Sequence, residues 1–121
     1  MLYLIIFNRL HTAIMKFYYV YILLCNDKSL YVGVTSNLER RLEEHNSGKY
    51  SNAYTFKRRP VELVYFQNFT EPTVAIFFKK QLKKWIRVKK QALIENNFEK
   101  IQEYAECRNA SHFKYNKDNS H

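Results

Sequence analysis

Residues that break regular structure are scarce in this chain of 121 residues, which has two glycines and two prolines. So little turn-forming material excludes a low-complexity or linker protein and points to one packed core. Cysteine is equally scarce, with only Cys25 and Cys107. Two thiols without framework spacing exclude a disulfide scaffold and are expected to stay free in a reducing cytoplasm. His11, His45, His112 and His121 form no zinc pattern with them. Acidic residues are also few: 11 Asp+Glu stand against 20 Lys+Arg, a formal net charge of +9. Polyanions are the natural partners of such a chain. A membrane-spanning run is missing too. Met1-Leu2-Tyr3-Leu4-Ile5-Ile6-Phe7 is apolar, but it lacks a basic leader region and stops at Asn8 and Arg9. Met15 directly precedes the first strand-like run. Residues 1–14 are therefore expected to be an extension or a misassigned start, with a truncated secretion signal as the alternative.

Aromatic residues are abundant, ten Tyr and nine Phe, and most are expected in the core. Residues 17–24, Phe-Tyr-Tyr-Val-Tyr-Ile-Leu-Leu, read as a buried strand. Asn26-Asp27-Lys28-Ser29 is a turn cluster, and residues 30–34 are a second strand, so the two should form a hairpin. Gly33 inside it suggests a close backbone approach or a bulge. Ser36 and Glu39 have the spacing of a capping box, which predicts a helix over 36–46 that stops before Gly48. On that helix Leu38 and Leu42 face the core, while Arg41 and His45 share another stripe. A basic loop over 49–60 leads to a third strand at 61–67. A helix should then begin at Thr70-Glu71-Pro72, burying Val74, Phe77, Phe78, Leu82 and Trp85. Further helices are expected over 88–95 and 97–106, followed by a frayed tail.

The order is ββαβαα, with the triads Tyr19-Val20-Tyr21 and Tyr31-Val32-Gly33 at its start. With residues 38–46, 58–65 and 81–85 in sequence behind them, the chain resembles the GIY-YIG nuclease superfamily. The likeness is nearest to the small single-domain bacterial members, and it extends to the nuclease domain of the excision-repair endonuclease. The resemblance implies an α+β fold, a small three-stranded antiparallel sheet flanked by helices, over residues 15–96. A C-terminal helix and flexible tail would occupy 97–121. It also implies metal-dependent cleavage of a DNA phosphodiester. Carried over by motif, Tyr21 would orient the nucleophile or the phosphate, and Tyr31 would assist deprotonation of the attacking water. Arg41 would stabilise charge on the phosphate, and His45 would shuttle a proton or bind phosphate. The residue types suit that chemistry. Arginine offers a permanently charged fork for phosphate oxygens, and histidine moves protons near neutral pH. Taken singly, Tyr21 could be a core residue, Arg41 a solvated helix cation and His45 a helix C-terminal cap.

The pattern departs from the family at one position. Small members carry an acidic metal ligand just before the Lys-Gln-Leu-Lys stretch, and here that position is Lys79. An ammonium cannot ligate Mg²⁺ or Mn²⁺, the cofactor the resemblance implies. Three outcomes follow: a degenerate nuclease that still binds DNA, a substitute carboxylate such as Glu71, or Lys79 itself neutralising the phosphate. The expected partner is DNA, whether branched, nicked or duplex. Phosphate contacts are expected from Lys49, Lys57, Arg58, Arg59, Lys80, Lys83, Lys84 and Arg87. A nucleic-acid-binding module without chemistry is the alternative function. The basic stretch 79–90 keeps lipid-surface binding open as a third.

Overall fold

The computed structural model describes residues 15–103. The expectations for residues 1–14, Cys107, His11, His112, His121 and the tail lie outside them. Strands β1 (Tyr18–Leu24), β2 (Leu30–Thr35) and β3 (Glu62–Phe69) form one antiparallel sheet in the order β2-β1-β3. Helix α1 (Leu38–Ser47) follows β2, and helix α2 (Pro72–Lys84) follows β3. Helix α3 (Arg87–Ile94) comes next, and residues 98–103 are again helical. The α+β architecture is the expected one. Residues up to Lys84 belong to one compact unit and those from Trp85 to a second.

β1 is the central strand because its apolar run is continuous. Val20, Ile22 and Leu23 have no exposed surface and Tyr21 has 2%, the pattern of a strand covered on both faces. It turns back into β2 through a tight hairpin. Lys28 takes the left-handed conformation, the Cys25 amide donates to the Ser29 carbonyl, and Asp27 accepts from the Ser29 amide. On one face of the sheet Tyr21, Leu23, Cys25 and Val61 are buried, and Tyr31, Leu38, Leu42 and Leu63 pack against them. Helix α1 covers this face. Strand alternation directs Val20, Ile22 and Val32 to the other. There α2, which touches all three strands, supplies the buried Ala75 and Leu82.

Several local expectations change. The N-cap of α1 is Asn37, not Ser36: its side chain accepts from the Arg40 amide at 3.0 Å. Thr35 Oγ1 accepts from the Asn37 amide, which fixes residue 37 as the last extended position. Glu39 is thereby one place too early for a capping box. The other end behaves as expected, with Gly48 at φ 73° and its amide on the Glu44 carbonyl. Pro72 is the first residue of α2. Its buried stripe is shifted, however: Val74 and Phe77 are 50% and 64% exposed. The small Ala75 lets the helix lie close to the sheet, and the larger side chains turn outward. Trp85, expected inside, is half-buried, with the Lys89 ammonium 3.9 Å from its ring centroid.

Candidate active site

The site is assembled by strand register and one helical turn. Tyr21 on β1 lies opposite Gly33 on β2. A Cβ at residue 33 would overlap the Tyr21 ring, so glycine there lets the ring cross β2. Arg41 and His45 lie four residues apart on α1 and share a face. The Tyr21 hydroxyl meets His45 Nε2 at 3.0 Å, and His45 Nδ1 meets Thr55 Oγ1 at 2.7 Å. His45 is 9% exposed and Thr55 1%. Among the described residues no buried side-chain nitrogen or oxygen lacks a partner.

Burial lowers the His45 pKa, with Arg41 adding to the effect and Glu44 opposing it. A neutral imidazole has one donor and one acceptor nitrogen. Either Tyr21 donates to Nε2 while Nδ1–H donates to Thr55, or Thr55 donates to Nδ1 while Nε2–H donates to the Tyr21 oxygen. Burial, reinforced by Tyr31, raises the Tyr21 pKa well above that of a free phenol, against the pull of Arg41. Tyr21 is therefore held as a neutral, oriented hydroxyl rather than as a phenolate.

Arg41 is held at the rim. Its guanidinium reaches Glu44 at 3.3 Å, and Glu44 also faces Arg40 at 3.5 Å and Lys49 at 4.0 Å. Three cations thus surround one carboxylate, leaving local charge for an anion. Thr35, Ser36, Arg40, Arg41, Glu44 and Tyr50 line a polar cleft of about 300 Å³ here. Tyr31 contacts His45, with ring centroids 5.3 Å apart, and stacks on Tyr54 at 6.0 Å. Tyr21 and Tyr31 are 6.3 Å apart. The structure therefore brings Tyr21, Tyr31, Arg41 and His45 together.

The expected phosphate-binding cations divide differently. Arg58 donates to Asp27 and to the Tyr54 carbonyl, and its guanidinium covers the Tyr54 ring. Arg59 donates to the Phe56 and Asn46 carbonyls and lies over the Phe56 ring. These two arginines brace the 50–60 loop, which delivers Thr55. Lys57 is exposed, as are Lys80, Lys83 and Lys84 on α2, and Arg87 belongs to the second unit. Lys79 is half-buried and has no ion-pair partner among the described residues. Burial, then Lys83 and Lys80, lowers its pKa.

The donor set does not fit a protein-held divalent ion. Among the described residues no group of three or more His, Cys, Asp or Glu is placed to hold one, and the carboxylate of the cleft, Glu44, is committed to three cations.

Thr55, Glu44 and Asn46 were not among the expected site residues. Asn46 clips α1 to the start of β3, accepting from the Val61 amide at 2.8 Å and donating to its carbonyl at 3.1 Å. Glu44 carried a signal in its spacing to Arg40 and Arg41, and Asn46 in the His-Asn pair that resembles the family's pattern. A lone threonine in a loop carries none.

Among the described residues no helix is long and apolar enough to cross a membrane. A UPF0213 protein of Syntrophus aciditrophicus is 48% identical over 83 residues, covering 69% of this chain and 95% of the relative. One from Haloquadratum walsbyi is 44% identical, covering 65% of this chain and 88% of its own. Two solution NMR structures are similar. The UPF0213 protein BH0048 from Bacillus halodurans is 37% identical, with TM-score 0.45 over 67% of this chain and 85% of its own. The protein EF2693 from E. faecalis is 38% identical, with TM-score 0.49 over the same shares. The family described as GIY-YIG catalytic domain matches residues 17–92, which contain both tyrosine triads, Arg41 and His45. By that match the chain belongs to the GIY-YIG family and carries its nuclease-like catalytic domain.

Proposed function

We propose that this protein binds DNA by holding one backbone phosphate in the cleft beside Tyr21, Tyr31, Arg41 and His45, in the manner of an endonuclease. The supporting observation is the closed chain from Thr55 through His45 to Tyr21, lying next to Arg41 and its neighbouring cations. Arg41 turns from Glu44 to the non-bridging phosphate oxygens, where a planar, permanent charge is most useful. In the tautomer whose His45 Nε2–H donates to the Tyr21 oxygen, the Tyr21 hydroxyl hydrogen is left to donate to a phosphate oxygen or to orient a water toward phosphorus. Tyr31, whose ring packs against His45, would relay the proton that such a water gives up. Hydrolysis would form the new P–O bond to water and break the bond to the leaving sugar oxygen.

A bound divalent ion would supply charge neutralisation on the phosphate and activation of the water. With Lys79 at the family's ligand position, and Glu44 bound to three cations, binding is retained and strand cleavage is weak. The same observation favours the second reading, a nucleic-acid-binding module without chemistry.

Nicking of supercoiled plasmid with Mg²⁺ or Mn²⁺, run beside a gel shift on the same DNA, tests both. Slow nicking that is lost in Arg41→Ala supports the endonuclease. A normal shift without nicking at high protein concentration leaves the binding module. Brisk Mg²⁺-dependent nicking by the natural sequence would mean that a carboxylate other than one at residue 79 serves the metal. Absence of any shift at low salt would sink the DNA reading.

A further inference from the structure

The polar cleft is not the only cavity at the start of α1. A larger groove of about 460 Å³ has walls formed by Tyr19, Phe66, Leu38, Leu42 and Leu63. Ser36 lines both cavities, so the apolar groove adjoins the cleft that carries Arg40 and Arg41 at that residue. Phe66 is 52% exposed, and its ring meets Tyr19 at 6.2 Å in an edge-on arrangement. One ring thus supports the other and leaves an aromatic face open. Asn37 and the exposed Glu39 also line the groove.

We propose that this groove receives the base of an unpaired nucleotide whose phosphate occupies the neighbouring cleft. The domain would then prefer DNA with a flap, gap or frayed end to intact duplex. The inference rests on the phosphate-binding reading above and adds the form of the ligand. Three features select a base. The walls are mainly apolar and aromatic, with Ser36 and Asn37 at one edge, and suit a flat π-face. The Glu39 carboxylate repels phosphate but accepts from the exocyclic amine of a base. The volume lies in the range of sites that enclose small planar ligands. A base inside a duplex is stacked and paired, and reaches such a groove only by being extruded. A cationic cleft on the other side of Ser36 separates this groove from an isolated apolar patch and favours a nucleotide over an apolar peptide.

The test is fluorescence anisotropy on the full chain with fluorescein-labelled nicked DNA carrying a short flap. The first unpaired position holds either a cytosine or an abasic site. The flap with the base is expected to bind about fivefold tighter or more, the scale of one base stacked on an aromatic ring. Phe66→Ala should remove that preference and leave abasic affinity unchanged, while Phe66→Tyr should keep it. Phe66 is solvent-facing, so circular dichroism should report an unchanged fold for both variants. With 2-aminopurine at the unpaired position, binding should quench its emission in the natural protein and not in Phe66→Ala. Arg41→Ala should weaken both DNAs equally. Equal affinity for base and abasic DNA, with Arg41 dependence intact, overturns the base groove and leaves the phosphate site standing. A base preference that survives Phe66→Ala also overturns it, because the base is then read elsewhere. Loss of Arg41 dependence overturns the phosphate site itself.

Discussion

The cations of the cleft and those of α2 differ in how they are held. Arg40 and Arg41 lean on Glu44, while Arg58 and Arg59 are bonded to Asp27 and to backbone carbonyls and lie over aromatic rings. Lys80, Lys83 and Lys84 stand in solvent with no ion pair among the described residues. Fixed charges select a geometry, because a guanidinium held by a carboxylate, as Arg41 is by Glu44, can meet a phosphate in few ways. Free lysines on long stems raise affinity for any polyanion without choosing among them. Under the proposed DNA reading the two regions would divide recognition from attraction, with Lys79 on the side of the second set.

The largest expected effect comes from reversing the charge at residue 79. Lys79→Glu should raise Mg²⁺-dependent plasmid nicking by about a hundredfold or more, since a bound metal contributes several kcal/mol at such centres. It should also weaken metal-free DNA binding, and adding Arg41→Ala should cancel the gain. If the variant folds, takes up Mg²⁺ and still cuts nothing, the fixed region is a binding site alone.

The next effect probes the rigidity of the cleft. Thr55→Val leaves His45 Nδ1 without its buried partner, which should lower stability by about 1–3 kcal/mol in urea melts. An unchanged urea midpoint would mean that Thr55 merely fills space.

The pH dependence is of intermediate size and has a definite sign. The folded state holds His45 with a lowered pKa, so the unfolded chain binds the proton more readily. The His45 contribution is therefore fully present above the unfolded value of about 6.5 and is lost as pH falls through the folded pKa. Urea midpoints should be flat above about pH 7 and decline below about 6.5, and His45→Gln should flatten that decline. A midpoint that instead rises on acidification would contradict the buried neutral imidazole.

The smallest effect separates the two kinds of cation directly. Replacing Lys80, Lys83 or Lys84 by Gln should leave the melting temperature unchanged. For each of them that contacts DNA, the slope of log K against log salt should flatten by about 0.9. Arg58→Gln should instead lower the melting temperature, because Asp27 and the Tyr54 carbonyl lose their donor. Equal behaviour of the two groups would erase the distinction.

What could be read from the residues alone follows the same division. The hairpin, the close approach at Gly33, the Gly48 cap and the convergence of Tyr21, Tyr31, Arg41 and His45 rest on local spacing and strand register, which sequence carries. Thr55 was invisible because it lies in a loop without period, placed by Arg58 and Arg59 in a way no pattern encodes. For the same arginines charge was visible in the sequence and internal bonding was not. On α2 the error was one of size. Large apolar residues at helical spacing suggested the buried stripe, whereas close packing on the sheet selected Ala75 and left Phe77 outside. Asn37 displaced Ser36 as cap because both can accept a helix amide, and Thr35 decided between them.

The space left open at Gly33 has a further consequence. The Tyr21 ring occupies the volume where any other residue at 33 would place its first side-chain carbon. The two tyrosine triads, twelve positions apart from Tyr21 to Gly33 in the chain, are thus the two halves of a single lock. Neither half can be altered by itself: a larger residue at 33 expels the phenol from His45, and a smaller one at 21 leaves a hole over bare backbone. Lineages that drift at one of these positions are therefore expected to drift at the other, and to lose the hydroxyl when they do.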